Sequence, residues 1–113
     1  MTEPTPSPVL ALVRDLIFSS RITATAKATG VNVKVVRDST TLANQPGSLL
    51  IVDLNQPGFI EAAAEWKATT AREVIGFVSH VDGETIALAK AAGFETLPRS
   101  RFVEELESIL TRP

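Results

Sequence analysis

Cysteine is absent from this 113-residue chain, and its apolar runs are short. Without cysteine the chain can form neither a disulfide framework, a thiol nucleophile, nor a zinc or iron–sulfur site with cysteine ligands. Apolar runs such as 49–52 are far too short to cross a bilayer, so no membrane partner is expected. The N-terminus lacks a basic segment followed by an apolar stretch, which is the pattern of a secretory signal. These absences predict a cytoplasmic protein.

A surplus of positive charge is also missing. Eleven basic residues stand against 13 acidic ones, which gives a net charge of −2. Nucleic-acid-binding domains usually carry a basic surplus or a basic stripe, so no nucleic-acid partner is expected. The glycine-rich motifs that cradle phosphates, G-x-G-x-x-G and the P-loop, do not occur. The single histidine is too few for a metal site built on imidazole.

Length and composition predict one globular domain behind a short arm. The chain is 44% hydrophobic and 21% charged, an ordinary globular balance, and domains usually span roughly 100–200 residues. Residues 1–8 carry a proline at every second position from Pro4, which favours an extended, solvated conformation. We expect a proline-rich flexible arm over 1–8 and a single domain over 9–113. A docking role for the arm is the alternative.

Short apolar runs alternate with longer helix-permissive segments from residue 9 onward. The predicted strands are 9–13, 31–36, 49–53, 74–79 and 94–97, and the predicted helices are 19–29, 40–45, 59–70, 83–93 and 101–111. The run 49–52 is the most apolar and predicts a central strand, whereas polar residues interleaved in 31–36 predict an edge strand. This alternation predicts a doubly wound parallel α/β sheet with helices on both faces.

Several local signals carry more specific expectations. Ser19 or Ser20 is the predicted N-cap of the first helix, and Gly30 lies where a helix-terminating glycine belongs. The apolar residues 16–18 either fold inward beneath the strand ends or form an exposed docking patch. Trp66 is expected to pack in the core, with an interface anchor as the alternative.

The chemically distinctive side chains follow the carboxyl ends of the predicted strands, where the functional crevice of such a sheet lies. In chain order these residues are Arg14, Asp15, Arg37, Asp38, Asp53, Asn55, Gln56, Ser79, His80, Asp82, Arg99, Ser100 and Arg101. Ser79, His80 and Asp82 do not indicate a hydrolase, because neighbouring strand residues point to opposite faces and no G-x-S-x-G motif occurs. His80 is expected to bond to the backbone or to Asp82, with a pH-sensing role as the alternative.

Over 9–110 this arrangement resembles a response-regulator receiver domain, in the atypical form of a pseudo-receiver. The resemblance rests on Asp53 in Leu-Leu-Ile-Val-Asp-Leu-Asn and on Ser79 in Gly-Phe-Val-Ser. It implies a three-layer, flavodoxin-like (CheY-like) fold with a five-stranded parallel sheet in the order 2-1-3-4-5. It also implies a phosphoacceptor at Asp53, a phosphoryl contact at Ser79, and Mg²⁺ held by Asp15 and Asp53.

Three positions depart from the receiver pattern. Arg14 replaces one of the two acidic residues after the first strand, Arg99 stands for the family's lysine, and Ser100 stands for its proline. Since Mg²⁺ prefers hard oxygen ligands, nearby guanidinium groups predict weak Mg²⁺ binding and doubtful phosphorylation. Arg14 and Arg99 become candidate anion contacts. A basic residue near a helix N-terminus is disfavoured, so Arg99 is expected to pair with Asp53 or Asp15.

Two functions fit these residues. The first is a stand-alone receiver-like module of two-component or phosphorelay signalling, which acts through protein contacts and is at most autophosphorylating rather than an enzyme. By the resemblance, a partner protein or a second copy would bind the 94–111 face. The alternative is a small anionic-ligand-binding protein that uses the crevice between Asp15, Ser79 and Arg99, with Arg14 as a second cation. The expected supporting residues are Asn55, His80, Asp82 and Ser100.

Overall fold

Parallel strands and helices alternate along residues 7–79 and 82–112, which are the residues that the computed structural model describes. The strands are β1 (Val9–Leu12), β2 (Val33–Val36), β3 (Leu49–Asp53), β4 (Glu73–Val78) and β5 (Glu95–Pro98). The helices are α1 (Leu16–Thr29), α2 (Phe59–Thr70), α3 (Gly83–Ala91) and α4 (Arg99–Leu110), with a 3₁₀ turn at Ser39–Thr41. No helix within these ranges has the length and hydrophobicity needed to span a bilayer. The predictions for residues 1–6 and for His80 lie outside the described residues.

The five strands form one parallel sheet in the order β2-β1-β3-β4-β5, which confirms the predicted order. Leu12 of β1 pairs with Val36 of β2 and with Val52 of β3, so the carboxyl ends of these strands meet at one edge. Every residue of β1 and of β3 is buried, as expected for strands covered on both faces. β2 stands at the edge of the sheet, as predicted, and three of its four residues are partly or fully exposed.

Two hydrophobic clusters lie on opposite faces of the sheet. The first includes Phe18, Ile22, Phe77, Phe102 and Leu106 and is covered by α1 and α4. The second includes Leu12, Val52, Phe59, Trp66 and Ala89 and is covered by α2 and α3. Trp66 is completely buried, and its indole N–H donates to the carbonyl of Gln45 at 3.0 Å. The core role predicted for Trp66 is therefore confirmed.

The first helix begins earlier than predicted, and Ser19 and Ser20 are not its N-cap. Asp15 caps α1, because its carboxylate accepts hydrogen bonds from the free amides of the first turn. The Ser19 hydroxyl, one turn later, donates instead to the carbonyl of Leu16. At the other end Gly30 adopts φ 75°, a left-handed conformation that glycine accepts without steric cost. The predicted helix end is confirmed.

Two further predicted boundaries were wrong. No α-helix forms over 40–45; a short 3₁₀ turn at Ser39–Thr41 stands there instead, and Asp38 caps it by accepting from the amide of Thr40. The last helix begins at Arg99 rather than at residue 101, because Pro98 ends β5 in an extended conformation and serves as the N-cap position. Arg99 and Ser100 therefore lie in the first turn of α4 and not in a loop.

Candidate functional site

A pocket of about 290 Å³ lies at the carboxyl edge of the sheet, where the ends of several elements meet. Its walls come from the β1–α1 junction, the end of β3 and the loop after it, the end of β4, and the first turn of α4. The residues that line it are Asp15, Phe18, Asp53, Asn55, Gln56, Phe77, Ser79 and Arg99. Six of these belong to the distinctive residues that the sequence places after the strand ends, namely Asp15, Asp53, Asn55, Gln56, Ser79 and Arg99, so the structure brings these six together.

Asp53 is the last residue of β3 and is only 6% exposed. One of its carboxylate oxygens accepts from the amide of Asn55 at 3.1 Å. Burial raises the pKa of Asp53, and the hydrogen bonds from Asn55 and Gln56 together with the charge of Arg99 offset only part of that rise. Asp53 therefore holds its proton to a higher pH than an aspartate in water.

Asp15 uses its two carboxylate oxygens for different purposes. Oδ1 accepts from the amides of Ile17 and Phe18 at 2.9 and 3.0 Å and so caps α1. Oδ2 lies 3.7 Å from Nη2 of Arg99, which confirms the predicted pairing of that arginine with one of the two site aspartates. The side chains of this ion pair are 41% and 44% exposed, so the pair contributes at most about 1 kcal/mol to stability.

Arg99 also lies over an aromatic ring. Its guanidinium carbon is 4.4 Å from the centroid of Phe18, a distance typical of a cation–π contact. Phe18 stacks on Phe77 with centroids 4.5 Å apart, and Phe77 stacks on Phe102 at 4.9 Å. The arginine that faces the pocket is thus held in place by the aromatic core between α1 and α4.

The apolar segment 16–18 was predicted either to fold inward or to form an exposed patch, and each prediction holds for part of it. Phe18 turns inward and is 3% exposed, which makes it the floor of the pocket. Leu16 and Ile17 remain in solvent. The sequence did not single out Phe18 as a site residue, because its contact with Arg99 depends on how α1 and α4 pack.

Ser79 directly follows β4, and its backbone joins the neighbouring strand end. The amide of Ser79 donates to Oδ1 of Asn55 at 2.6 Å. The amide of Leu54 donates to the carbonyl of Phe77 at 3.0 Å. These two bonds fix the loop after Asp53 against the end of β4, and Asn55 lies between the two strand ends.

Some predicted site residues do not line this pocket. Arg14 lines a separate depression of about 580 Å³ beside the 3₁₀ turn, which corrects the expectation that it shares a pocket with Asp53. Arg14 lies between the end of β1 and the start of α1. The alternation of side chains along a strand therefore no longer determines the direction of its side chain. Asp82 is exposed and caps α3, accepting from the amide of Glu84 and from the Thr85 hydroxyl. Ser100 is exposed on α4.

The pocket offers a poor donor set for a divalent cation. Mg²⁺ usually takes one or two carboxylates together with water and phosphate oxygens. Of the two carboxylates that line the pocket, Asp15 is engaged by α1 and by Arg99, and the guanidinium adds a fixed positive charge. In the part of the chain that the structure describes, no three acidic, histidine or cysteine side chains are grouped to hold a metal. These residues do not fit a tightly bound magnesium ion.

Comparisons with known proteins place the fold. No family model matches the sequence, and no curated protein matches it. The BeF₃-activated DrrB receiver domain superposes with a TM-score of 0.78 and 16% identity, over 96% of this chain and 97% of that one. Chemotaxis response regulator CheY4 of Vibrio cholerae gives 0.76 and 18%, over 96% and 98%. The chain has the CheY-like receiver fold.

A third solved structure shows the same receiver fold with a metal. The receiver domain of sensor histidine kinase PA1611 from Pseudomonas aeruginosa PAO1, with a magnesium ion coordinated in its active-site cleft, gives a TM-score of 0.76 and 18% identity, over 96% of this chain and 97% of that one. At such identities the likeness establishes the fold alone. The predicted receiver fold is confirmed, with four α-helices where five helical segments were expected.

Proposed function

We propose that this chain is a receiver-like signalling module that acts through contacts with partner proteins and accepts phosphoryl groups poorly at Asp53. The observation that supports the proposal is the state of Asp15. Its carboxylate would have to share a cation with Asp53, but it caps α1 and pairs with Arg99 instead. The chain keeps the receiver fold, but the carboxylate of Asp15, which would help to hold the cation for phosphoryl transfer, is bound to other groups of the chain.

The chemistry of acyl phosphate formation explains why these contacts matter. A carboxylate nucleophile must be ionised, and a divalent cation normally neutralises the charge on the transferring phosphoryl group. Burial raises the pKa of Asp53, so its carboxyl group ionises at a higher pH than an aspartate in water does. Arg99 supplies one positive charge beside the pocket, but a guanidinium is a hydrogen-bond donor and cannot coordinate oxygen ligands as Mg²⁺ does. No enzymatic turnover is proposed.

The 94–111 face is the proposed site for a partner protein or a second copy. Its apolar side chains Phe102, Leu106, Ile109 and Leu110 are buried against the sheet. Arg101 bonds to Glu105 at 2.6 Å on the outward side, and Glu104 and Glu107 are exposed. A contact on this polar face would be electrostatic, and the Arg99–Asp15 pair links the first turn of α4 to the pocket.

Phosphorylation with a small-molecule donor tests the proposal. The protein is incubated with acetyl phosphate and Mg²⁺ and its intact mass is measured, beside Asp53→Asn as the matched variant. A CheY-type receiver in the same buffer shows that the donor is competent. We expect no adduct that depends on Asp53. A stable adduct of one phosphoryl group in the wild-type protein that is lost in Asp53→Asn would contradict the proposal.

The alternative of a small anionic ligand in this pocket gains no support from the charges. Among the residues that the structure describes, Arg99 is the one cationic side chain that lines it, whereas Asp15 and Asp53 contribute two carboxyl groups. Arg14, the expected second cation, lines the other depression. An anion entering the pocket would therefore meet more acidic than basic groups.

A further inference from the structure

Two neighbouring apolar side chains at the start of α1 are left in solvent. Ile17 is 82% exposed and Leu16 is 56% exposed, although Phe18 next to them is buried. Elsewhere in residues 7–79 and 82–112, Leu88 on α3 is the one other large apolar side chain that is exposed. Adjacent exposed apolar side chains with a polar surround are typical of interaction sites.

Three arginines surround these side chains. Arg14 precedes α1, Arg37 follows β2, and Arg21 lies four residues after Ile17, on the same side of the helix. Arg14, Leu16 and Arg37 line the same depression of about 580 Å³. Within the described ranges none of the three arginines forms a salt bridge. We call the surface made of Arg14, Leu16, Ile17, Arg21 and Arg37 the α1 edge surface.

Two acidic residues, Asp15 and Asp38, lie beside this surface and also bond to other parts of the chain. Asp15 caps α1 and pairs with Arg99. Asp38 caps the 3₁₀ turn by accepting from the amide of Thr40 at 2.9 Å. Asp38 lines the same depression as Arg14 and Arg37 and interacts electrostatically with Arg14. One carboxylate there stands against three arginines, so the α1 edge surface keeps an excess of positive charge, although the chain as a whole is acidic.

We propose that the α1 edge surface binds an acidic peptide segment of a partner protein, and that this segment carries at least one large apolar side chain. Carboxylates in the segment would form charge-assisted hydrogen bonds with Arg14 and Arg37. Its apolar side chain would cover Leu16 and Ile17. The inference rests on the proposed function, because it assumes that the chain acts through partners, and it adds a basic contact surface to the acidic 94–111 face.

Other classes of binding partner would match either the arginines or the apolar side chains of this surface, but not both. A nucleic acid or a small phosphate compound would pair with the arginines but leave Leu16 and Ile17 uncovered. A purely apolar partner would bury guanidinium groups without counter-charges, which is costly. The α4 face of a second copy presents Glu104 and Glu107, but Phe102, Leu106, Ile109 and Leu110 are turned into the core and Val103 is partly buried. It has nothing to place on Ile17.

A peptide-display selection against the immobilised full chain tests the proposal without assuming a sequence for the partner. We expect the enriched peptides to combine Asp or Glu with Leu, Ile or Phe. Synthetic copies of these peptides should lose affinity by at least roughly tenfold for Ile17→Ser and for the double variant Arg14→Glu/Arg37→Glu, as when a central interface contact is removed. Salt should weaken the binding.

Matched controls separate a local effect from a general one. Leu88→Ser removes an exposed apolar side chain on α3, and Arg72→Glu reverses an exposed charge just before β4, at the opposite edge of the sheet. Both should bind the peptides as the wild-type protein does. All substituted side chains are exposed, so the variants should fold, and circular dichroism with thermal melting verifies this.

Three results would overturn the proposal. The first is enrichment of peptides without acidic residues, and the second is binding that Ile17→Ser and Arg14→Glu/Arg37→Glu leave unchanged. The third is self-association in sedimentation that disappears in Ile17→Ser, since this would assign the surface to a second copy. Phosphorylation of Asp53 would contradict the proposed function but leave the peptide result standing, so the two failures can be told apart.

Discussion

Asp15 and Arg99 join the first turn of α1 to the first turn of α4, with Oδ2 of the aspartate 3.7 Å from Nη2 of the arginine. The other oxygen of Asp15 is bonded to two amides of α1, and the guanidinium lies over Phe18. The positive charge at the pocket is therefore supplied by the chain itself. The carboxylate of Asp15 is therefore engaged by α1 and by Arg99.

Removal of the Asp15 carboxylate should destabilise the protein chiefly through the helix cap. Asp15→Ala loses two hydrogen bonds to α1, and loss of an N-cap costs about 1 kcal/mol, with up to about 1 kcal/mol more from the ion pair. Asp15→Asn keeps a capping oxygen and loses only the charge. Urea denaturation should show a clearly larger loss of unfolding free energy for Asp15→Ala than for Asp15→Asn. Equal losses would mean that the cap has no energetic role.

Arg99 should lower the pKa of Asp53 through its charge. Since that charge offsets part of the effect of burial, Arg99→Ala should raise the Asp53 pKa above its wild-type value. Arg99→Lys keeps a positive charge and should change the pKa less, although it loses the planar contact with Phe18. Titration of the Asp53 carboxyl resonance by NMR measures both variants. An unchanged Asp53 pKa in Arg99→Ala would show that the guanidinium does not act on this carboxyl.

Asp53 should make the protein less stable as the pH rises. Burial raises its pKa in the folded protein above the ordinary value of an aspartate, so over a range of pH the folded state holds a proton that the unfolded state has already released. Below the unfolded pKa both states are protonated and no penalty exists. The penalty grows as pH rises from the unfolded pKa through the folded one and persists above it.

Asp53→Asn removes that penalty and keeps an oxygen that can accept from Asn55. We expect Asp53→Asn to match the wild-type protein in stability at the acidic end and to become the more stable of the two toward neutral pH. Urea denaturation over a pH series, with Asp82→Asn as an exposed aspartate for comparison, measures the difference. A gap between Asp53→Asn and wild type that shrinks with rising pH would contradict the raised pKa.

Gly76 in β4 should not tolerate a side chain. A Cβ atom at this position would lie 2.5–2.7 Å from three side-chain atoms of Leu54. Leu54 is buried and directly follows Asp53, so the clash would also press on the loop that shapes the pocket. Overpacking of this kind costs about 1–3 kcal/mol.

The helical glycine Gly83 serves as the control for this substitution. A Cβ atom there would meet no atom within 4 Å, so Gly83→Ala should be neutral or stabilising. Thermal and urea unfolding compare the two variants. Equal stability of Gly76→Ala and Gly83→Ala would contradict the prediction, because it would mean that Leu54 can move away from the added methyl group.

The fold and the centre of the site could be predicted from the sequence, because both depend on strong local patterns. The buried run 49–52 ends at Asp53, and parallel strands bring their carboxyl ends to one edge, so Ser79 had to lie near it. The cap at Asp15 was missed, because Ser19 and Ser20 give an equally good local signal. The contact of Arg99 with Phe18 could not be predicted from the sequence, since it depends on packing between helices that are distant in sequence.

Titration of Mg²⁺ into isotope-labelled protein, followed at the carboxyl resonances of Asp15 and Asp53, tests the central claim most directly. If these carboxyl groups are committed to the α1 cap, to Arg99 and to a buried environment, neither resonance should show a saturable shift at millimolar Mg²⁺. Saturable shifts of both resonances at micromolar Mg²⁺ that vanish in Asp53→Asn would contradict the account.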